Sequence, residues 1–260
     1  MCNAIIFSVY IPSHDKVYIL TELLEAFKNN FINTDIFIGI NRPYCTEVIE
    51  EIIKYKDNFN IIYEISDDHI VTKCDISGYQ TALMLLKNSK KNYDLIWFVH
   101  TKGVTSNRHS IRKELINTFF INQCHIIKIF ESNPNIGTYS KYIIKYDGPE
   151  YFNDVLSQFY KNFKLPYFYT YWYAYTFYVM RGSGLHEFIN NCEQSFFTSN
   201  LIKEKKCDRY FFERDFPHII WRQNMLPEYS YYESWNYGYA NNTFFDDCKG
   251  FFSSINESID

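Results

Sequence analysis

Along the first hundred residues, short apolar runs alternate with segments in which apolar residues recur every three or four positions. Residues 4–11 form one such run, closed by Pro12-Ser13, and Leu20, Leu23, Leu24, Phe27 and Phe31 follow at helical spacing. This is the pattern of a strand feeding an amphipathic helix. It recurs as a strand over 35–40, a helix over about 46–55, a strand over 60–65, a helix over about 76–86 and a strand over 94–99. Alternation of this kind predicts a mostly parallel, Rossmann-type sheet with helices on both faces, and so an α/β fold.

Beyond residue 100 the pattern loosens. A helix over about 110–130 leads to a short strand at 135–139, followed by a polar region around Asp147-Gly148-Pro149. The clearest later elements are a strand over 176–180, a helix over 184–192 and a helix over about 208–221 interrupted by Pro217. After Pro227 the chain is rich in Tyr, Asn and Phe and has no period. The expected organisation is one domain over 1–226, with a Rossmann-type nucleotide-binding half (about 1–105) and a less regular second half (about 106–226). Residues 227–260 are expected as a tail packed on that domain.

Composition narrows the class. Of 260 residues, 47% are hydrophobic and 22% charged, which suits a globular chain and excludes general disorder. The 24 Tyr, 24 Phe and 4 Trp are unusual; with the equally heavy use of Asn, Ile and Lys they point to AT-rich coding rather than to a function. A net charge of −4, with basic residues spread along the chain, argues against a phosphate-tracking nucleic-acid surface. The seven cysteines are odd in number, widely spaced and without a CxxC pair. No disulfide framework or structural zinc site is expected, and a reducing compartment fits best. The start Met1-Cys2-Asn3-Ala4 has no basic flank or cleavage signature, and no run reaches the roughly 18 apolar residues of a membrane helix. The expectation is a cytoplasmic protein without a transmembrane segment, peripheral contact with a membrane surface staying open.

The strand over 94–99 ends abruptly in His100-Thr101-Lys102-Gly103. In open α/β sheets ligands bind beyond the carboxyl ends of such strands. His100 and Lys102 can meet an anion, His100 can ligate a metal, and Gly103 allows close backbone approach. The alternative is an ordinary polar turn. Asp75, in Asp75-Ile76-Ser77-Gly78-Tyr79, stands before a predicted helix at the same sheet edge. It can cap that helix, worth roughly 1 kcal/mol, or hold nucleotide hydroxyls, or do both.

Two acidic clusters are weaker signals. Asp67-Asp68-His69 has the composition of a metal site, although adjacent loop carboxylates are more often solvated. Glu213, in Glu213-Arg214-Asp215, is flanked by Phe211, Phe212 and Phe216. Desolvation there would raise its pKa and suit a general base, while a surface ion-pair network with Arg209 and Arg214 is the alternative. There is no GxGxxG, P-loop, GxSxG or HExxH motif.

Taken together, these segments resemble the GT-A-type glycosyltransferases that include rhamnan synthesis protein F. Three matches carry the resemblance, which runs from about residue 4 to 225. Asp75-Ile76-Ser77-Gly78-Tyr79 is similar to the family's G-x-D-hydrophobic-x-x-[FY] helix start, with Lys73-Cys74 where Asn-x-Gly often stands. Tyr93 to Gly103 resembles the strand ending in His-Thr-Lys, with Arg108 and Arg112 as the basic residues downstream. Tyr175-Thr176-Phe177-Tyr178-Val179-Met180-Arg181 resembles the Gly-Thr-[MF]-[FW] strand, with Tyr175 for Gly, and Glu213-Arg214 resembles a His-x-x-Glu-Arg motif in which Tyr210 replaces the His.

The resemblance implies a GT-A-like fold and transfer of a sugar from a nucleotide-sugar donor to a glycan or lipid-linked acceptor. It implies Tyr10 and Asp75 at the nucleoside, and His100, Thr101, Lys102 and Gly103 at the diphosphate. Thr176 and Tyr178 would meet the sugar, Glu213 would act as an inverting base, and Arg214 would orient it or pair with phosphate. Where typical GT-A enzymes carry an Asp-x-Asp metal motif, His100-Thr101-Lys102 stands instead. The diphosphate charge must then be met by Lys102 itself, without a metal, or by Mn²⁺ or Mg²⁺ on His100 with Asp75 or Asp67. A non-catalytic carbohydrate-binding module and a sugar nucleotidyltransferase are the two rival functions, the second weakened by Tyr10-Ile11-Pro12-Ser13-His14 where a Gly-rich phosphate loop would stand.

Overall fold

The structure is a computed structural model that describes residues 1–66, 76–102, 104, 109–134, 136–140, 143–145, 171–173, 176–191, 216, 217, 220, 231 and 232. The first half alternates β1 (Asn3–Val9), α1 (Val17–Asn30), β2 (Asp35–Ile40), α2 (Glu47–Ile53), β3 (Asn60–Ile65), α3 (Ile76–Ser89) and β4 (Leu95–His100). β1 and β4 are buried along their whole length, as runs without polar alternation require. β3, β2, β1 and β4 lie side by side and parallel, with Ser8 of β1 opposite His100 of β4.

The second half contributes α4 (His109–Leu115), a π-helical turn (Ile116–Ile121), α5 (Gln123–Ser132), β5 (Thr138–Ser140), β6 (Ile143–Lys145), β7 (Tyr171–Tyr173), β8 (Tyr178–Arg181), α6 (Gly182–Asn191) and β9 (Tyr231–Tyr232). β8 pairs antiparallel with β4 and with β5, β9 pairs parallel with β5, and β6 and β7 form a separate antiparallel pair. The seven-stranded sheet, ordered β3-β2-β1-β4-β8-β5-β9, is therefore mixed and not parallel throughout. The reversal is anchored where β8 ends. The Gly182 N–H donates to the Asp94 carbonyl at 2.8 Å, and a Cβ on Gly182 would stand 1.8 Å from the Tyr93 carbonyl oxygen. A residue without a side chain lets α6 start at the amino end of β4, which sets β8 running against it.

Alternating strand residues face two cores. Ile5, Phe7, Val9, Ile38 and Trp97 pack with Leu20, Leu24 and Phe27 of α1 and Phe120 of the π turn. Ile6, Phe37, Ile96, Phe98 and Tyr178 pack with Tyr79 and Leu83 of α3 and Phe188 of α6. Aromatic rings pack against one another in both cores. Phe27 meets Phe120 edge-on at 5.0 Å, Phe31 meets Trp97 at 5.1 Å, and Phe98 stacks on Tyr178 at 4.7 Å. Aromatic rings thus fill positions that aliphatic residues fill elsewhere.

Several expected elements differ in detail. The first strand stops at Val9 rather than at residue 11, because Ile11 has left the ladder and accepts from the Cys45 N–H at 2.9 Å. The single helix over 110–130 divides around the π turn, whose wider winding buries Thr118, Phe119 and Phe120 in succession. The strand expected from 176 starts at Tyr178, since Thr176 holds a left-handed φ of 51°. No helix among the described residues is long and apolar enough to cross a membrane.

Candidate functional site

The carboxyl ends of β1, β2 and β4 converge at one edge, and side chains tie the loops that leave them. The Tyr10 N–H donates to Thr101 Oγ1 at 2.9 Å, while the Thr101 hydroxyl donates to the Tyr10 carbonyl at 3.1 Å. The Thr101 N–H adds a bond to the Ser8 carbonyl at 3.2 Å. A hydroxyl has one proton, so that of Thr101 is committed to the backbone and leaves only acceptor capacity for anything else. Thr101 ties the segment after β1 to the segment after β4.

His100, just before it, is 7% exposed and lies edge-on to Phe177 at 5.7 Å. The Lys102 N–H closes a tight turn onto the His100 carbonyl at 2.8 Å. Lys102 is half-buried, and its own carbonyl accepts from Arg112 Nη1 at 3.1 Å. Arg112 is 1% exposed; its Nε donates to Glu22 at 2.8 Å and its Nη2 lies 2.7 Å from His109 Nδ1. The guanidinium also sits 5.5 Å from the centre of the Tyr18 ring.

Asn41, directly after β2, joins the same edge to α3. Its Nδ2 donates to Ser8 Oγ and to the Val9 carbonyl, both at 3.0 Å. Its Oδ1 accepts from the Ser77 hydroxyl at 2.7 Å and from the Gly78 N–H at 2.8 Å. One buried amide therefore satisfies a donor in the buried first turn of a helix and a carbonyl at the end of a strand. Nothing in the sequence reading singled out Asn41 or Ser8; a polar residue closing an otherwise apolar strand was the available signal.

Thr176 is 5% exposed, and its carbonyl accepts from the Tyr79 hydroxyl at 3.4 Å. Tyr178 is fully buried, stacked on Phe98 and paired with it in register. Tyr10, His100, Thr101, Lys102 and Thr176 are thus gathered at one end of the sheet, with Tyr178 beneath them in the core. Asp67, Asp75, Gly103, Glu213 and Arg214 lie outside the described residues. Phe216, which follows the Glu213-Arg214-Asp215 run, is buried against Phe98 and Phe188 at 5.7 Å from each. An open recess of about 710 Å³ lined by Asn33, Asp35, Lys56 and Asn60 belongs to the opposite, amino-terminal ends of β2 and β3.

Of the candidate metal ligands His100, Asp75 and Asp67, only His100 lies among the described residues. His100 is followed two positions later by the Lys102 ammonium, and no group of three His, Cys, Asp or Glu side chains comes together among them. An oxygen-rich set of the kind Mg²⁺ or Mn²⁺ requires is not assembled from these side chains.

The family described as Rhamnan synthesis protein F matches residues 4–194. No curated protein matches the chain.

Proposed function

The chain belongs to the rhamnan synthesis protein F family, and from that premise we propose that it is a glycosyltransferase of GT-A-like fold in polysaccharide synthesis. It would move a sugar from a nucleotide-sugar donor to a glycan or lipid-linked acceptor. The observation that carries this reading is the convergence of Tyr10, His100, Thr101 and Lys102 at the carboxyl ends of β1 and β4, with their loops locked by the Thr101 hydroxyl. Ligands of open sheets bind at that edge.

In this reading the acceptor oxygen attacks the anomeric carbon, the bond from that carbon to the diphosphate oxygen breaks, and its electron pair leaves with the nucleoside diphosphate. The acceptor proton passes to the Glu213 carboxylate, which suits an inverting displacement. Negative charge grows on the diphosphate as the bond breaks, and a fixed cation there stabilises the transition state more than the ground state. Lys102 is that cation, His100 and Gly103 complete the cradle, and Arg214 orients Glu213 or meets phosphate. Tyr10 and Asp75 hold the nucleoside, and the sugar lies against the start of β8 at Thr176, supported by Tyr178. The reaction needs no metal in this scheme, because the cation is supplied by the chain.

The test is a thermal-shift screen with UDP-, GDP- and dTDP-sugars, each with and without Mn²⁺. A ligand that binds only the folded state raises its apparent stability. A rise with one nucleotide class is expected, and it identifies the base. No rise with any donor would overturn the transferase reading in favour of a module that binds carbohydrate alone.

A further inference from the structure

We infer that Arg112 is a positioning residue for Lys102, an inference that rests on the function proposed above. Basic residues downstream of a phosphate-binding turn are natural candidates for a second phosphate contact, yet the geometry of Arg112 points the other way. Its Nε is taken by the Glu22 carboxylate at 2.8 Å, its Nη1 by the Lys102 carbonyl at 3.1 Å, and its Nη2 faces His109 Nδ1 at 2.7 Å. With 1% of its surface exposed, the guanidinium has no open face to offer a dianion. A diphosphate reaching it would compete with Glu22 for the same buried charge.

What Arg112 does reach is the backbone of the residue that carries the proposed catalytic charge. Lys102 is held twice, by its N–H on the His100 carbonyl at 2.8 Å and by its carbonyl on Arg112. With both peptide groups pinned, the direction in which the lysine side chain leaves the backbone is set before any donor binds. Glu22 belongs to α1 and Arg112 to α4, so the clamp refers the turn to two helices rather than to its own loop. An ammonium on a flexible stem gains most from such support, because less freedom is lost when it meets its anion.

The experiment compares affinities for uridine, guanosine and thymidine diphosphates with those for the matching monophosphates, in the full chain. The wild type should prefer one diphosphate over its monophosphate. Lys102→Met should reduce that preference about tenfold, the effect of one charge-assisted contact. Arg112→Gln should reduce it similarly while leaving monophosphate affinity unchanged, and the double variant should lose no more than either alone. Equal weakening of monophosphate and diphosphate by Arg112→Gln, or additive losses in the double variant, would overturn the positioning role. If Arg112→Gln does not fold, Arg112→Lys keeps the charge but cannot span Glu22 and the Lys102 carbonyl, and an undiminished preference there overturns the role as well. A wild type that prefers none of the diphosphates sinks the transferase reading itself, and this role with it.

Discussion

Gly39 of β2 and Gly78 of α3 meet backbone to backbone: a Cβ on Gly39 would stand 1.9 Å from the Gly78 carbonyl oxygen, and one on Gly78 would stand 2.9 Å from the Gly39 carbonyl oxygen. A Cβ on Gly78 would also come within 2.3 Å of Ser8 Oγ and 2.5 Å of Asn41 Nδ2. Neither backbone can yield without lifting the start of α3 off the sheet. Gly78→Ala should therefore destabilise the protein by about 1–3 kcal/mol or more, in the range of overpacked cores. Urea unfolding checks this through its midpoint; a midpoint equal to the wild type would mean that α3 is not seated on β2 as described.

Asn41 is the polar counterpart of that contact. Asn41→Leu keeps the bulk but strands the Gly78 N–H and the Ser77 hydroxyl, which donate to the Asn41 side-chain oxygen. A buried polar group left without its partner costs about 1–3 kcal/mol. Ser77→Ala removes only one of these bonds and should cost less. Equal losses for the two variants in the same unfolding assay would show that the amide is not the shared hub.

His186 gives the fold a pH dependence of definite sign. Its Nε2 accepts from the Tyr93 N–H at 3.0 Å, and burial pushes its pKa below the ordinary 6.5. The unfolded chain therefore takes up this proton more readily than the folded one. Stability from this group is complete above about pH 6.5 and declines as pH falls toward the depressed folded value. The nearby Asp35 acts in a lower window. Burial alone would raise its carboxyl, but hydrogen bonds from Lys91 and Tyr93 outweigh that and hold it below 3.8. His186→Gln should flatten the decline of the unfolding midpoint between neutral pH and about pH 5. A variant as pH-sensitive as the wild type in that interval would assign the effect elsewhere.

Residues that carried a strong local signal were readable in the sequence, and residues whose role is relational were not. Unbroken apolar runs such as residues 95–99 and helical spacing such as Leu20, Leu23, Leu24 and Phe27 located β4 and α1, because burial on both faces or on one stripe constrains consecutive residues. The His100-Thr101-Lys102 turn was visible for the same reason, as a sudden end to such a run. The direction of β8 was not, since it depends on Gly182 meeting Tyr93 across a long separation in sequence. Asn41 is a single polar residue whose partners come from three elements, and no period announces it. Arg112 was visible as a basic residue; its orientation away from solvent came only with Glu22, 90 positions earlier.

Glu213 is proposed as the base on the resemblance; in the sequence Phe211, Phe212 and Phe216 flank it, and desolvation by such neighbours would raise its proton affinity. Glu213→Gln keeps the shape and removes the acceptor of the proton. Turnover should fall by about 10²–10⁴-fold, the usual contribution of general-base catalysis, while donor affinity stays near the wild-type value. Parallel loss of turnover and donor affinity would place Glu213 in binding instead.

Lys102 and a divalent metal are competing answers to one electrostatic demand, so they can be separated by removing each. If the ammonium neutralises the departing diphosphate, Lys102→Met should lower kcat by about 10²–10³-fold, comparable to removing one oxyanion donor elsewhere. Donor affinity should fall less, since the charge grows mainly in the transition state. EDTA should leave wild-type turnover unchanged, because no step in this scheme passes through an ion. The opposite pattern would be turnover abolished by EDTA, restored by Mn²⁺ and largely retained in Lys102→Met. That result would move the positive charge from the chain to a metal, and would direct the search for its ligands to Asp67 and Asp75.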